Sequence, residues 1–223
     1  MRIQYILDVP NKGASKTPPL YAGRDVHQLV SRIVRFFKDT DEPSSGRKIL
    51  VLEGPAASGK SILAQRLSLA LEAPLVSMDD FFLPFDMRTE DRFREVGGNI
   101  HYERFAEEII APATASQDGF YYRPFDCQTG QYASPIEVQS SPFLIVEGVY
   151  SLHQRFRHYW TTALLLGVDL GLQRERILQR ETAAGARNYF DRWLPLEKPY
   201  FQDPTLQERV DLNLMSSMSK TEV

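Results

Sequence analysis

An α/β domain with a doubly wound, mainly parallel sheet and helices on both faces is the fold class predicted here, on three observations. Residues 49–52 (Ile-Leu-Val-Leu) form a short, continuous apolar run, the pattern of a strand buried on both faces. A Gly-rich octapeptide follows directly, and then apolar residues at helical spacing: Ile62, Leu63, Leu67 and Leu71. Further short apolar runs at 75–77, 143–146 and 164–168 alternate with helix-patterned stretches, which implies parallel β-α-β units covered on both sides.

Taken in order, residues 10–20 carry Pro10, Gly13, Pro18 and Pro19 and read as irregular. From Asp25, the positions Val26, Leu29, Val30, Ile33, Val34, Phe36 and Phe37 recur as one face of an amphipathic helix. The polar stretch 38–47 with Pro43 and Gly46 ends it. Helices are expected at 102–110 and 172–184, and a last strand at 212–214. Residues 120–125 and 131–138 flank a turn at 127–130 and suggest a hairpin arm outside the main sheet. The organisation expected is an N-terminal helical appendage and linker (1–47), the α/β domain (48–215) and a flexible polar tail (216–223).

Composition narrows the function classes. The chain has 223 residues, 43% of them hydrophobic, enough for one well-packed domain and short for two. Its formal net charge is −3 with mixed signs, so neither nucleic acid nor an anionic membrane is an expected partner. No apolar stretch reaches the roughly 18–20 residues of a membrane span, and none near Arg2, Asp8 and Lys12 has signal-peptide length. The single cysteine, Cys127, excludes an internal disulfide framework. A cytoplasmic protein is the expectation, with a homo-oligomer as a possible assembly.

The octapeptide Gly54-Pro55-Ala56-Ala57-Ser58-Gly59-Lys60-Ser61 matches the phosphate-loop pattern G-x-x-x-x-G-K-[ST] in full. Glycine lets the backbone turn tightly enough for successive N–H groups to face phosphate oxygens. The helix beginning near Lys60, running into Ile62, adds its positive end. Lys60 is expected on the β- and γ-phosphates and the Ser61 hydroxyl on Mg²⁺. Asp79 and Asp80 come just after the strand candidate 75–77, at the edge where open α/β sheets bind ligands. A carboxylate there suits a reaction that needs a positioned acceptor hydroxyl. Glu147 ends the apolar run 143–146, a costly place for a carboxylate without a cation or donors, so it is a second candidate metal ligand. Arg176 and Arg180, four apart on one predicted helix, share a face.

In these segments the sequence resembles the uridine kinase-like family of P-loop kinases, relatives of phosphoribulokinase, pantothenate kinase and ribosylnicotinamide kinase. The resemblance rests on the phosphate loop, on residues 78–82 (Met-Asp-Asp-Phe-Phe), 97–105 (Gly-Gly-Asn-Ile-His-Tyr-Glu-Arg-Phe), 125–127 and 146–151, and on 174–180 with 193–197. It runs from about Lys48 to Leu214. It implies a P-loop NTPase fold with an Arg-bearing lid and a small acceptor-binding arm. It also implies an ATP- and Mg²⁺-dependent enzyme that phosphorylates a hydroxyl of a small metabolite. By the same resemblance Asp79 orients or deprotonates the acceptor, Arg176 and Arg180 close over the phosphates, and Tyr102, Arg104, Tyr122, Phe125 and Asp126 fall in acceptor-binding segments. His101 stands where many relatives have Asp, and residues 127–130 lack the histidine of nucleoside kinases, so the acceptor stays open. An ATP-binding regulatory or scaffold protein of the same fold is the alternative. A GTPase is disfavoured, as no Asn-Lys-x-Asp-like segment occurs.

Overall fold

The computed structural model describes residues 3–10, 19–115 and 117–218. Its strands are, in chain order, β1 (Ile3–Asp8), β2 (Tyr21–Gly23), β3 (Lys48–Glu53), β4 (Leu75–Ser77), β5 (Phe120–Tyr122), β6 (Phe125–Asp126), β7 (Gln131–Tyr132), β8 (Ile136–Val138), β9 (Phe143–Glu147), β10 (Thr162–Val168) and β11 (Leu212–Met218). Seven of them form one sheet in the order β2-β1-β11-β10-β3-β9-β4. The pairs from β11 through to β4 are parallel, while β1 runs antiparallel to β11 and β2 antiparallel to β1.

Both faces of the sheet are covered, and the alternation of side chains along each strand divides the core in two. Ile49, Val51, Val76, Val146 and Leu165 face one side, with Phe105, Ile109, Trp160 and Tyr200 packed over them. Leu50, Leu52, Ile145, Leu164 and Leu166 face the other, under helices α1 (Val26–Asp39) and α2 (Lys60–Leu71). This arrangement explains why β3 is buried along its whole length.

The parallel α/β class is as expected; the N-terminal segment is not a helical appendage. β1 and β2 extend the same sheet, and Leu7, Tyr21, Leu29, Ile33 and Phe37 belong to the core on the α1 face. Lys48, the first residue of β3, is buried and donates from Nζ to the carbonyls of Lys38 (3.1 Å) and Thr40 (2.6 Å), stitching the end of α1 to the sheet. The expected boundary at residue 48 is therefore not a structural break. β11 also runs past Leu214 to Met218, so residues 216–218 are strand rather than tail; 219–223, and residues 11–18 of the stretch 10–20 expected to be irregular, lie outside the described residues.

Two helical expectations change at their ends. The stretch 102–114 is helical throughout but winds as a wider, π-type turn at Ala106–Ile110. The helix expected over 172–184 is Leu170–Arg180, started by Asp169, whose carboxylate accepts from the Gly171 and Leu172 amides. A new helix begins at Ala183 because the Thr182 side chain caps it. The hairpin arm is present as β5 against β8 and β6 against β7, interrupted at Pro124. Among the described residues no helix is long and apolar enough to cross a membrane.

Candidate active site

Three parallel strands deliver the site residues to one sheet edge. β3 leads into the phosphate loop, β4 ends at Ser77 two residues before Asp79, and β9 ends at Glu147, which is in register with both Leu52 and Ser77. The loop conformation depends on residues that tolerate it. Gly59 sits at φ +99°, and a Cβ at Gly54 would lie 2.7 Å from the Leu166 carbonyl oxygen. Ala57 is held at φ 59° without being glycine. No side chain caps α2, so its first amides face the loop interior unclaimed by a side chain of the described residues. The Ser58 hydroxyl is buried with no hydrogen-bond partner among them. An orphaned hydroxyl and uncapped amides beside a lysine fit a phosphate chain.

Lys60 is almost completely buried, and its positive charge stabilises the ionised forms of Glu53, Glu147 and Glu197. Burial pushes the Glu147 carboxyl up from its usual range, with Lys60 pulling it back. Its two oxygens accept from Ser61 Oγ and Ser77 Oγ, both at 3.1 Å. A buried carboxylate and two hydroxyls converging beside the loop suit a hard divalent cation such as Mg²⁺. Among the described residues no three His, Cys, Asp or Glu side chains are grouped to hold a metal alone, so phosphate oxygens and water would complete its shell.

The loop is also gripped from outside. Gln173 Nε2 donates to the Ala56 carbonyl (2.8 Å), and Arg176 Nη1 donates to the carbonyls of Ala57 (3.0 Å) and Ser58 (2.8 Å). Glu197 accepts from the Ala56 amide at 2.8 Å. Behind the loop, buried Glu53 accepts from the amides of Gly54 (2.8 Å) and Leu152 (2.9 Å) and from the Tyr200 hydroxyl (2.8 Å). Burial pushes its pKa up to about 7. Glu53, Gln173 and Glu197 were missed in the sequence. Glu197 lies in the 193–197 segment, but nothing local marks it as a loop contact.

A cavity of about 740 Å³ opens over this edge. Ala56 to Ile62, Asp79, Arg176 and Arg180 all line it, whereas Gly54 and Pro55 do not. Arg176 is committed to the loop carbonyls. Arg180 donates to Glu181 (2.8 Å) and lies over the Tyr189 ring at 5.1 Å.

The expected acceptor residues are placed differently: of them, only Asp79 reaches the cavity. Arg104 is held by Glu108 at 2.6 and 3.0 Å and sandwiched between the rings of Phe81 and Tyr132. Tyr122 is buried and donates to Asp80 at 2.7 Å. Phe125 packs edge-on against Phe85 and Tyr132, and Tyr102 stacks on His153 at 4.3 Å. Asp126 closes the arm's turn, accepting from the Gln128 amide and the Thr129 hydroxyl. His101 accepts from the Arg104 amide through Nδ1 (3.2 Å) and caps a helix, and burial lowers its pKa. These side chains pack within the fold rather than lining the cavity. Among the side chains that do line it are Phe82, Asn99, Tyr150, Tyr189 and Trp193. Phe82 and Trp193, 111 positions apart in sequence, meet at 6.3 Å between ring centroids.

No protein-family model matches the chain, and no curated protein matches it in sequence. Solved structures do match. A possible uridine kinase from Bacillus stearothermophilus superposes with a TM-score of 0.62 at 17% identity, covering 84% of this chain and 98% of that one. A protein provisionally assigned as a fructose transport system kinase from Silicibacter sp. TM1040 gives 0.65 at 20% identity, covering 88% and 100%. D-glycerate 3-kinase from Cryptococcus neoformans gives 0.55 at 13% identity, covering 77% and 86%. The fold is thus that of the P-loop kinases, an α/β P-loop NTPase.

Proposed function

We propose that the chain is a uridine kinase-like small-molecule kinase that transfers the γ-phosphoryl group of ATP to a hydroxyl of a small metabolite. The observation that carries this reading is the position of Asp79, on the same cavity as the phosphate loop and as the side chains of Phe82, Asn99, Tyr150 and Trp193. A nucleotide switch needs the loop but not a carboxylate on the part of the cavity beyond it.

In this reading the loop amides, the Ser58 hydroxyl and Lys60 hold the phosphates. Mg²⁺, held through Ser61 and Glu147, would supply charge neutralisation when bound. The acceptor lies against Phe82, Asn99, Tyr150 and Trp193. Its hydroxyl oxygen attacks the γ-phosphorus as the bond to the β–γ bridging oxygen breaks, its proton passes to Asp79, and ADP departs. Arg180 faces the transferring group, while Arg176 sets the loop's shape. The planar walls favour an acceptor with a flat ring.

The test is release of ADP from ATP by the purified protein against panels of nucleosides, vitamin precursors and sugar phosphates. One acceptor class should raise turnover well above hydrolysis by water. If none does, while ATP still binds, the regulatory alternative takes its place.

A further inference from the structure

The cavity does not stop at the phosphate loop. It continues to the side opposite Asp79, where Ile3, Tyr5, Val26, Ile62 and Leu214 line it. We propose that this end is the subsite for the purine base of the nucleotide donor, with the N-terminal strand and helix as one of its walls. The proposal rests on the phosphate-loop reading and extends it to residues outside the motif.

Topology brings the N-terminal residues there. β1 pairs antiparallel with β11, Tyr5 opposite Ser216 and Leu7 opposite Leu214, so the first residues of β1 reach the carboxyl edge of the parallel strands. β2 pairs back on β1 with Gly23 opposite Tyr5, so α1 also starts at that edge, presenting Val26. The sheet order then assigns the two ends of the cavity. The phosphate loop follows β3, in mid-sheet; Asp79 and Glu147 follow β4 and β9 on one side of it, and β1 and β11 lie on the other. A phosphate chain in the loop that directs its terminal group at Asp79 must direct its nucleoside toward β11 and β1.

The chemistry of that end suits a flat, weakly polar ring. Ile3, Tyr5 and Val26 are only half-buried and Ile62 is 64% exposed, so apolar surface remains for a ligand to cover. Tyr5 offers a ring face for stacking and lines the same cavity as Arg176. This links the base end to the side chain that grips the loop. On the floor, Ser216 Oγ donates to the Gly167 carbonyl at 3.3 Å, a polar pair positioned to read a ring edge.

Calorimetry on the full chain with ADP and with inorganic tripolyphosphate, each with Mg²⁺, separates base recognition from phosphate recognition. The wild type should bind ADP more tightly than the charge of its phosphates accounts for. Tyr5→Ala and Val26→Trp, the second filling the subsite, should each weaken ADP by about tenfold or more and leave tripolyphosphate unchanged. Without any variant, ADP but not tripolyphosphate should slow amide hydrogen exchange in residues 3–8 and 21–30 of the wild type. ADP affinity and exchange that ignore these residues, in folded protein that still binds tripolyphosphate, overturn the subsite alone. Failure of the wild type to bind either ligand removes the phosphate-loop reading beneath it.

Discussion

Glu147 is where opposing forces in the site meet most directly. Burial favours its neutral form, while Lys60 and the two serine hydroxyls favour the anion. A divalent cation would settle that contest toward the anion. Glu147→Gln should therefore raise the Mg²⁺ concentration for half-maximal activity by about tenfold or more, with the fold intact by circular dichroism. An unaltered Mg²⁺ titration would make the residue purely a partner of Ser61 and Ser77. Asp79 differs because it is exposed and its side chain faces the cavity. Asp79→Asn should lower phosphoryl transfer by roughly 10²- to 10⁴-fold while ATP affinity stays near wild type. If binding and transfer fall together, Asp79 serves the nucleotide rather than the acceptor. The neighbouring Asp80 is bound by Tyr122, so burial and that hydrogen bond give it a structural task that adjacency in sequence does not disclose.

At the scale of elements, the phosphate loop is a backbone held by distant side chains. Arg176 spends Nη1 on the carbonyls of Ala57 and Ser58. Arg176→Ala should accordingly raise KM for ATP along with any fall in kcat, whereas Arg180→Ala should lower kcat chiefly. Identical kinetic profiles for the two variants would contradict this division of labour. Glu53, at the strand–loop junction, predicts a pH effect. Its folded pKa of about 7 lies above its ordinary value of 4.5, so the native state holds the proton more tightly. The resulting stabilisation is complete below pH 4.5 and is lost as pH rises through 7. At about 1.4 kcal/mol per unit it amounts to on the order of 3 kcal/mol. Glu53→Gln should flatten the melting temperature between those pH values, and an unchanged slope would assign it to other groups. The loop was legible because its chemistry is local: eight consecutive residues between a buried strand and a helix. The cavity lining by Phe82, Asn99, Tyr150 and Trp193 was not, because these residues come from four separate segments. The aromatic residues that looked like a pocket instead pack with one another and with Arg104, a choice made by tertiary burial rather than by sequence spacing.

At the scale of the whole molecule, the N-terminal segment determines whether the kinase-like part is a separable unit. Its helix was evident from apolar spacing. β1 was not, since Gln4 interrupts its apolar run and its partner β11 is some 200 positions away in sequence. The last strand expected, 212–214, stops short of the end of β11 because Ser216 and Ser217 look like tail, yet Ser216 is buried between β1 and β10. The consequence is energetic. Leu7, Leu29, Ile33 and Phe37 are each at most 1% exposed, and all pack on the sheet face that also carries α2. At about 1.5–3 kcal/mol for each fully buried side chain, they contribute on the order of 6–12 kcal/mol. That equals the entire net stability of an ordinary domain, roughly 5–15 kcal/mol. A fragment starting at residue 48 should thus show no cooperative thermal transition, although it keeps the whole phosphate-loop motif. It would also leave buried Lys48 without the α1 carbonyls that accept its protons. Phe37→Ala in the full chain provides the graded version, with an expected loss of about 3–5 kcal/mol in urea unfolding. A fragment that melts sharply, near the temperature of the full chain, would restore the reading of residues 1–47 as an appendage; a broad, non-cooperative melt with Phe37→Ala weakened as stated would make them part of the domain's core.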